Sequence, residues 1–568
     1  MKGKVKGWWL IRLALTIVGR KGFREMTRAS KNGKEALAKN LRQTLTLSKD
    51  TVYGKEHHFG EIIKAKTPDE LFELYRKNVH INDYEDLRAY VDRHKNGEPS
   101  VLIPGRPKMY STTSGTTKEP KWIPVSDMYY KQVYRTMNQI WFYAMMKSRP
   151  HCYSLRSLSI VGKAIEGAAP DGTMSGSISG VIQRDVPIFM KETYSAPHDA
   201  FYVNDYKSRY YTLILLGLAK DISIIITANP STLVELQNNV NENFETYCDD
   251  IEHGTINKKF DVSEEILTAV KRKHLKPNPK RAAELRKMKA KYGTILPKHY
   301  WPNLQIVTCW FSGNTKIYYD RIRDSYPAQC LFHEFGYIST ECKAGVVIKS
   351  NCRETVVFGH KNYIEFIHES EIDNPAPRIY QAYEVEEGKR YILLVTTCSG
   401  LYRYNTNDLV LITGFVNDFP CIEFIQKVNG TVSLTGEKLH EQQFIEAVRE
   451  TEKKTGKIAP FFVGFADPVK SRYKFYLEFA DQQISITEAE EFTKYLDNCL
   501  MEYNTEYRDK RVSNRLKEPE TALLGPEAYE RFKEICVNQK GYREAQFKFN
   551  LLMQDEMRHA LFKELVKK

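Results

Sequence analysis

The pattern that narrows the possible folds of this 568-residue chain most is an alternation of strand-length apolar runs with helical stretches. Residues 210–226 (YYTLILLGLAKDISIII) read as a buried helix running into a strand from Ile222 to Thr227. Further apolar runs of strand length cover 304–310, 328–333 and 391–397. A strand rich in Ile, with no polar residue at alternate positions, suits a sheet covered on both faces, as when helices cross over between parallel strands. The expected fold class is therefore α/β, with a large N-terminal domain of buried β-sheets flanked by helices.

The end of the chain reads differently. Pro460–Ala466 and Tyr473–Ala480 form a predicted strand pair around Asp467-Pro468, and Thr487 with Glu490 predicts a capping box opening a helix over 488–503. This is a small α+β C-terminal domain. The predicted division is a basic helical segment 1–50, a large domain 51–427 and a small domain 428–568. Within the large domain, 30–100 read as helical, with a turn at Asn82-Asp83-Tyr84 before a helix toward His94. A long helix is expected from Ser126 to Met146, short β-like pieces over 155–190, and a helix capped by Asn229-Pro230-Ser231. Residues 264–291 read as an exposed helix pair broken at Pro277 and Pro279.

Charge separates two regions from the rest. The net charge is +13, but residues 1–60 hold +10 and residues 271–298 another +10, which leaves the remainder at −7. A basic pI is then poor support for a nucleic-acid partner, and none is expected. RNA binding would usually set aromatic platforms among the charges, and only Tyr292 and Tyr300 lie close to the second cluster. The ten cysteines, from Cys152 to Cys536, contain no C-x-x-C pair, so a reducing, cytoplasmic setting is expected rather than a disulfide scaffold.

The apolar stretch Trp8 to Val18 is eleven residues long and interrupted by Arg12. It is too short for the ~20 residues of a membrane span, and the basic residues that follow argue against export. Two readings stay open: an interfacial helix, with residues 1–28 touching the inner face of a membrane, or a first helix docked on its own domain.

Several familiar motifs are absent: GxGxxG, GxxxxGK[ST], HExxH and GxSxG with a central serine. His333-Glu334 and His440-Glu441 lack a second His at metal spacing and read as ordinary polar residues. The segment from Thr112 to Lys121 is different. Six small or hydroxylic residues, followed by Lys118 and Lys121, can turn backbone N–H groups and hydroxyls around a polyphosphate.

That segment, TSGTTKEPK, resembles the phosphate loop of adenylate-forming enzymes, usually TSGTTGxPK. The stretches TVYGKEHHFGEI, INDYEDLRAYVDRHKNGEPSVL, WPNLQIV, FGYISTE and SGLYRYNTNDLV resemble the Gretchen Hagen family of auxin-responsive acyl acid amido synthetases and their bacterial relatives. The resemblance runs from about Thr51 to Lys548. It implies a monomeric, ATP- and Mg²⁺-dependent ligase that adenylates a small carboxylic acid and passes the acyl group to an amino acid or other amine. By the same resemblance Thr113, Ser114, Gly115, Thr116 and Thr117 with Lys121 hold the β- and γ-phosphates. Tyr337, Ser339 and Thr340 shape the nucleotide pocket, and Glu341 is associated with Mg²⁺. Asp408 takes the ribose hydroxyls, and Ser312-Gly313 border the acyl and adenine sites. Lys548 approaches the α-phosphate and acyl oxygen from a C-terminal domain that turns about a hinge near Gln426-Lys427. Lys118 replaces a glycine of the family pattern, and Asn405 and Asn407 replace the Arg and Gly of Y-R-x-G-D. The competing readings are thioester formation with coenzyme A, and a membrane-associated scaffold that keeps the fold without catalysis.

Overall fold

The structure, a computed structural model, describes residues 4–567 except 113–120, 162–163, 229, 313–318, 320–321, 353, 373, 429–430, 433, 436, 438, 468, 513–515, 541–549 and 555. Its contacts divide it into two compact units. One is Met1–Thr406 with Val410–Phe424, and the other is Asn407–Leu409 with Ile425–Lys568.

In the first unit, the Ile-rich run forms the strand Ile222–Thr227, an inner member of a four-stranded parallel sheet. The order is Arg156–Ile160, Ile222–Thr227, Ile306–Thr308, Leu331–His333. Ile225 and Val307 pack in one core with Tyr211, Ile214 and Leu215 of the helix Tyr206–Leu218. Ile224 and Ile306, one residue out of phase, join Trp141, Met145, Val5, Ile11 and Leu15 instead. Both faces are covered, which is why the strand shows no polar alternation.

A second sheet has seven strands in the order Ile379–Gln381, Tyr363–His368, Arg390–Thr396, Tyr404–Val416, Phe419–Lys427, Thr355–Val357, Gly345–Val346. A third places Trp122–Val125 antiparallel to Met109–Thr112, so the chain on either side of 113–120 is held by a strand pair.

The helices follow local chemistry closely. Asp83 caps Tyr84–Lys95 in a reciprocal box with Asp86. The expected break at Pro277 and Pro279 separates Glu264–Lys273 from Pro279–Tyr292. The long helix after Ser126 is α-helical over Asp127–Tyr129, widens into a π turn over Tyr130–Tyr134, and resumes over Arg135–Ser148. Region 155–190 departs from expectation in its second half, which is helical over Ile178–Arg184 and Ile188–Lys191. Ile178 and Val181, three residues apart, are buried in a common core, and that helical spacing overrides the Gly and Ser content. Pro230 is itself the N-cap of Ser231–Glu242, while Asn229 lies outside the described residues.

The N-terminal helix Trp8–Ala29 docks on Arg135–Ser148 through Ile11, Leu15, Gly19, Gly22 and Met26. No described helix is long and apolar enough to cross a membrane.

The second unit is an α+β fold. Its sheet runs Glu520–Leu523, Arg472–Glu478, Phe461–Asp467, Leu552–Met553, with the expected pair antiparallel at the centre. The predicted capping box is corrected by two residues. The helix is Ile486–Tyr503, capped by Ser485, whose hydroxyl accepts the Glu488 N–H while Glu488 accepts the Ser485 N–H. Serine and glutamate three apart make the same box as Thr487 and Glu490, and the earlier pair stands where the chain leaves extended geometry.

Candidate active site

Of the predicted site residues, Thr113, Ser114, Gly115, Thr116, Thr117, Gly313 and Lys548 lie outside the described residues, as does the side chain of Lys427. The others have definite surroundings. Lys121 stands one residue before the strand Trp122–Val125. Its ammonium is 5.6 Å from the Tyr84 ring centroid and donates at 3.4 Å to the Tyr404 hydroxyl. The same Tyr84 hydroxyl accepts the Trp122 N–H at 2.7 Å, which fixes the backbone beside Lys121. No carboxylate forms an ion pair with this lysine among the described residues. Tyr84, Ile123, Tyr404 and Tyr337 all belong to one extended apolar core.

Tyr337 begins a tight turn closed by the antiparallel bridge between Ile338 and Lys343. Ser339 N–H donates to the Cys342 carbonyl at 2.9 Å, and the Ser339 hydroxyl accepts the Cys342 N–H at 3.2 Å. Thr340 and Glu341 stand part-exposed at its tip. The long helix braces this turn from two places. The Tyr129 hydroxyl accepts the Lys343 N–H at 3.0 Å, and Asn138 accepts from the Lys343 ammonium at 3.2 Å. Lys343 is buried, and burial pulls its pKa down to about 7.

Asp408 is buried in the strand Tyr404–Val416 and grouped with the second unit. Asn407 before it has φ of 54°, a left-handed conformation that Asn tolerates better than most residues, and the family pattern has Gly there. Gly400, at φ of 90°, lets the chain pass Leu102, whose Cβ would be 2.8 Å from any added Cβ. Ser399 then locks the turn to the start of the long helix, donating to the Pro124 carbonyl at 2.8 Å and accepting the Ser126 N–H at 2.7 Å.

Three buried charged groups escaped the sequence reading. Arg403 is a structural ion, with its guanidinium 3.0 Å from Glu365, whose other oxygen takes Arg76, also at 3.0 Å. Glu334 is wholly buried and ties two loops together. It accepts the Phe311 N–H at 2.6 Å and the Phe335 N–H at 3.0 Å, and it lies 3.4 Å from the Ser312 hydroxyl. Burial pushes its carboxyl up to about 8 despite those donors. Glu441 does the same in the second unit, where Leu551 and Leu552 donate to it, and burial again raises it to about 8. Both His-Glu pairs were read as ordinary polar residues; their acids are buried pins. For Glu334 the available signal was an acid set directly after the strand-length run 328–333; nothing comparable precedes Glu441.

Models for three domains of one family match most of the chain: the GH3 family N-terminal domain over 22–331, its central domain over 355–427 and its C-terminal domain over 442–557. The chain belongs to the GH3 family. Indole-3-acetic acid-amido synthetase GH3.4 of Arabidopsis thaliana is 23% identical over 521 residues, 87% of this chain and 85% of its own. Jasmonoyl--L-amino acid synthetase GH3.5 of Oryza sativa subsp. japonica is 27% identical over 416 residues, 67% of this chain and 69% of its own. The solved GH3.15 acyl acid amido synthetase shares the fold, with a TM-score of 0.82 at 20% identity over 96% of this chain and 95% of that one. The GH3 central-domain match begins and ends on two paired strands of the seven-stranded sheet, Thr355–Val357 and Phe419–Lys427.

Proposed function

We propose that this GH3-family protein is an acyl acid amido synthetase that uses ATP to join a small carboxylic acid to an amino acid or another amine. The observation that carries the reading is Lys121: an ammonium without an acid partner among the described residues, beside Tyr404, in a chain matched along all three GH3 domains. Of the two relatives named above, one is an indole-3-acetic acid-amido synthetase and the other a jasmonoyl--L-amino acid synthetase.

A free carboxylate resists amines because oxide is a poor leaving group. In the first half-reaction a carboxylate oxygen attacks the α-phosphorus of ATP, and the bond to pyrophosphate breaks. In the second the amine nitrogen attacks the acyl carbon, the bond to AMP breaks, and the nitrogen loses a proton. No protein nucleophile is needed. Lys121, with Thr113 to Thr117, draws charge onto the departing phosphates. Glu341, a part-exposed carboxylate on a tight turn, fits a Mg²⁺ otherwise held by phosphate oxygens and water, which would supply further charge to pyrophosphate. Asp408 is assigned to the ribose, Tyr337, Ser339 and Thr340 to the wall of the nucleotide pocket, and Ser312-Gly313 to the acyl and adenine border. Lys548 is assigned to the α-phosphate, reached when the C-terminal domain turns about Gln426-Lys427.

Pyrophosphate release, measured over a panel of carboxylic acids with amino acids, with coenzyme A or with neither, tests this reading. Release with an acid alone, and amide rather than thioester product on adding acceptor, is the expected result. No release with any acid would overturn it. Lys548→Ala is expected to slow adenylation far more than it weakens ATP binding, and Asp408→Ala to raise the KM for ATP.

A further inference from the structure

The N-terminal helix Trp8–Ala29 is buried along one stripe and bare along the opposite one. Ile11, Leu15, Gly19, Gly22 and Met26 fall at spacings of three and four, so they form a single face against Arg135–Ser148. Gly19 lets the two backbones touch. A Cβ there would sit 2.4 Å from the Tyr143 Cβ and 2.5 Å from the Gln139 carbonyl oxygen. Val5 N–H donates to the Ser154 carbonyl at 2.9 Å, the Trp8 ring meets His151 edge-on at 5.2 Å, and Glu25 pairs with Lys361 at 2.7 Å. The helix is therefore fixed in rotation, and what it turns outward is set by the fold.

What it turns outward is apolar first and basic after. Trp9, Leu10, Leu13 and Ile17 are 58%, 52%, 52% and 63% exposed. The same face continues through Arg20, Lys21 and Arg24, with Lys4, Lys6, Arg12 and Arg28 nearby, all seven exposed. None of the seven forms an ion pair among the described residues, and the one acid of this stretch, Glu25, is taken by Lys361. Large apolar side chains grouped on a surface mark a contact site.

We propose that this face seats the protein on the surface of an anionic lipid bilayer. Trp9, Leu10, Leu13 and Ile17 lie in the headgroup layer, and the lysines and arginines lie against lipid phosphates. Charge selects this occupant. A second copy of the chain would bring two sets of seven cations face to face, whereas an anionic leaflet neutralises them. The inference does not rest on the enzymatic reading.

Pelleting the full chain with vesicles tests it, using pure phosphatidylcholine or equal parts phosphatidylcholine and phosphatidylglycerol. Binding is expected to the mixed vesicles, to be weak to the neutral ones, and to be reversed by salt. A Trp9→Ser/Leu13→Ser/Ile17→Ser variant and an Arg20→Glu/Lys21→Glu/Arg24→Glu variant should each lower the partition coefficient about tenfold or more. Lys280→Glu/Lys287→Glu, in the other basic region, should leave it unchanged. The substituted side chains are exposed, and an unchanged melting temperature checks that each variant is folded. Equal binding to both vesicle types, binding that survives both N-terminal variants, or a dimer in solution that the serine variant dissolves would each overturn the proposal.

Discussion

In the helix pair Glu264–Lys273 and Pro279–Tyr292, four of the nine basic residues, Lys273, Arg281, Arg286 and Lys289, are engaged by their own domain. Arg286 reaches Asp249 and Glu252 at 2.7 Å and Glu245 at 3.4 Å, all on the helix Phe244–His253. Arg281 donates to the carbonyls of Leu218 and Tyr300, Lys298 to that of Asp324, and Lys273 faces Glu192 at 3.4 Å. The N-terminal helix belongs to a segment with the same excess of +10, yet its exposed cations have no such partners among the described residues and adjoin a bare apolar face. Equal net charge thus serves two ends. In one region part of it is paired within a helical layer, and in the other none of the exposed cations of the helix is ion-paired among the described residues. Composition cannot separate these cases, because the difference lies in where the neighbouring acids fold to.

The strongest way to break this contrast is to undock the N-terminal helix. Gly19→Val forces a side chain into the Tyr143 and Gln139 contact, and the expected loss is about 3 kcal/mol of stability in chemical denaturation. Trypsin should also gain access to Arg20 and Lys21. Unchanged stability would mean the buried stripe does not hold the helix.

The second region has its own pH signature. Lys220 and His274 both hydrogen-bond the Ser195 carbonyl, at 2.6 and 3.0 Å. Burial, with Arg156 nearby, pulls Lys220 down to about 7, and burial with Lys220 pulls His274 down to about 4. Between about 7 and the unfolded lysine value of 10.5, the unfolded chain holds a proton that the folded one lacks, so stability rises with pH across that window. For His274 the corresponding loss comes as pH falls from 6.5 toward 4. Lys220→Met should flatten the slope between pH 7 and 10 in urea-denaturation series. An identical slope in the variant would remove Lys220 from the account.

The smallest effect sharpens the contrast most directly. Arg286→Ala should lower the melting temperature by about 2 °C at low salt and less in molar salt, because its ion pairs are part-exposed and screened. Arg24→Ala should not move it. Equal shifts from the two would mean that the N-terminal cations are paired after all.

Much of the frame was legible from local chemistry. The two-sided strand Ile222–Thr227, the Asp83 cap and the Pro277 and Pro279 break each follow from neighbours in sequence. The Lys121 platform was legible by motif, but its partners Tyr84 and Tyr404 were not, since they arrive from 37 residues before and 283 after. Glu334 and Glu441 were misjudged for the same reason. A charged residue reads as exposed until the fold supplies the donors or the counter-ion that let it be buried. The N-terminal helix was readable as interfacial or as docked; it is docked, and because its apolar residues cover more than one face, docking leaves some of them exposed. The choice between Ser485 and Thr487 turned on backbone geometry that two equivalent side-chain pairs cannot reveal.

The π turn Tyr130–Tyr134 can be understood as a question of angular phase. Tyr129 and Asn138 are nine residues apart, which on a regular α-helix is about 900°, leaving them on opposite sides. A π turn takes up one additional residue, so the offset becomes about 80°, and both side chains can meet Lys343. The long helix is then an eight-residue spacing with one residue looped into it. Deleting the exposed Lys131 should relax the turn to α-helix and keep both contacts. Deleting a residue from the regular stretch Arg135–Ser148 ahead of Asn138 should rotate one of them away. A helix that accepts a shorter length at one point, and not a few residues further on, has its slack stored in a known place.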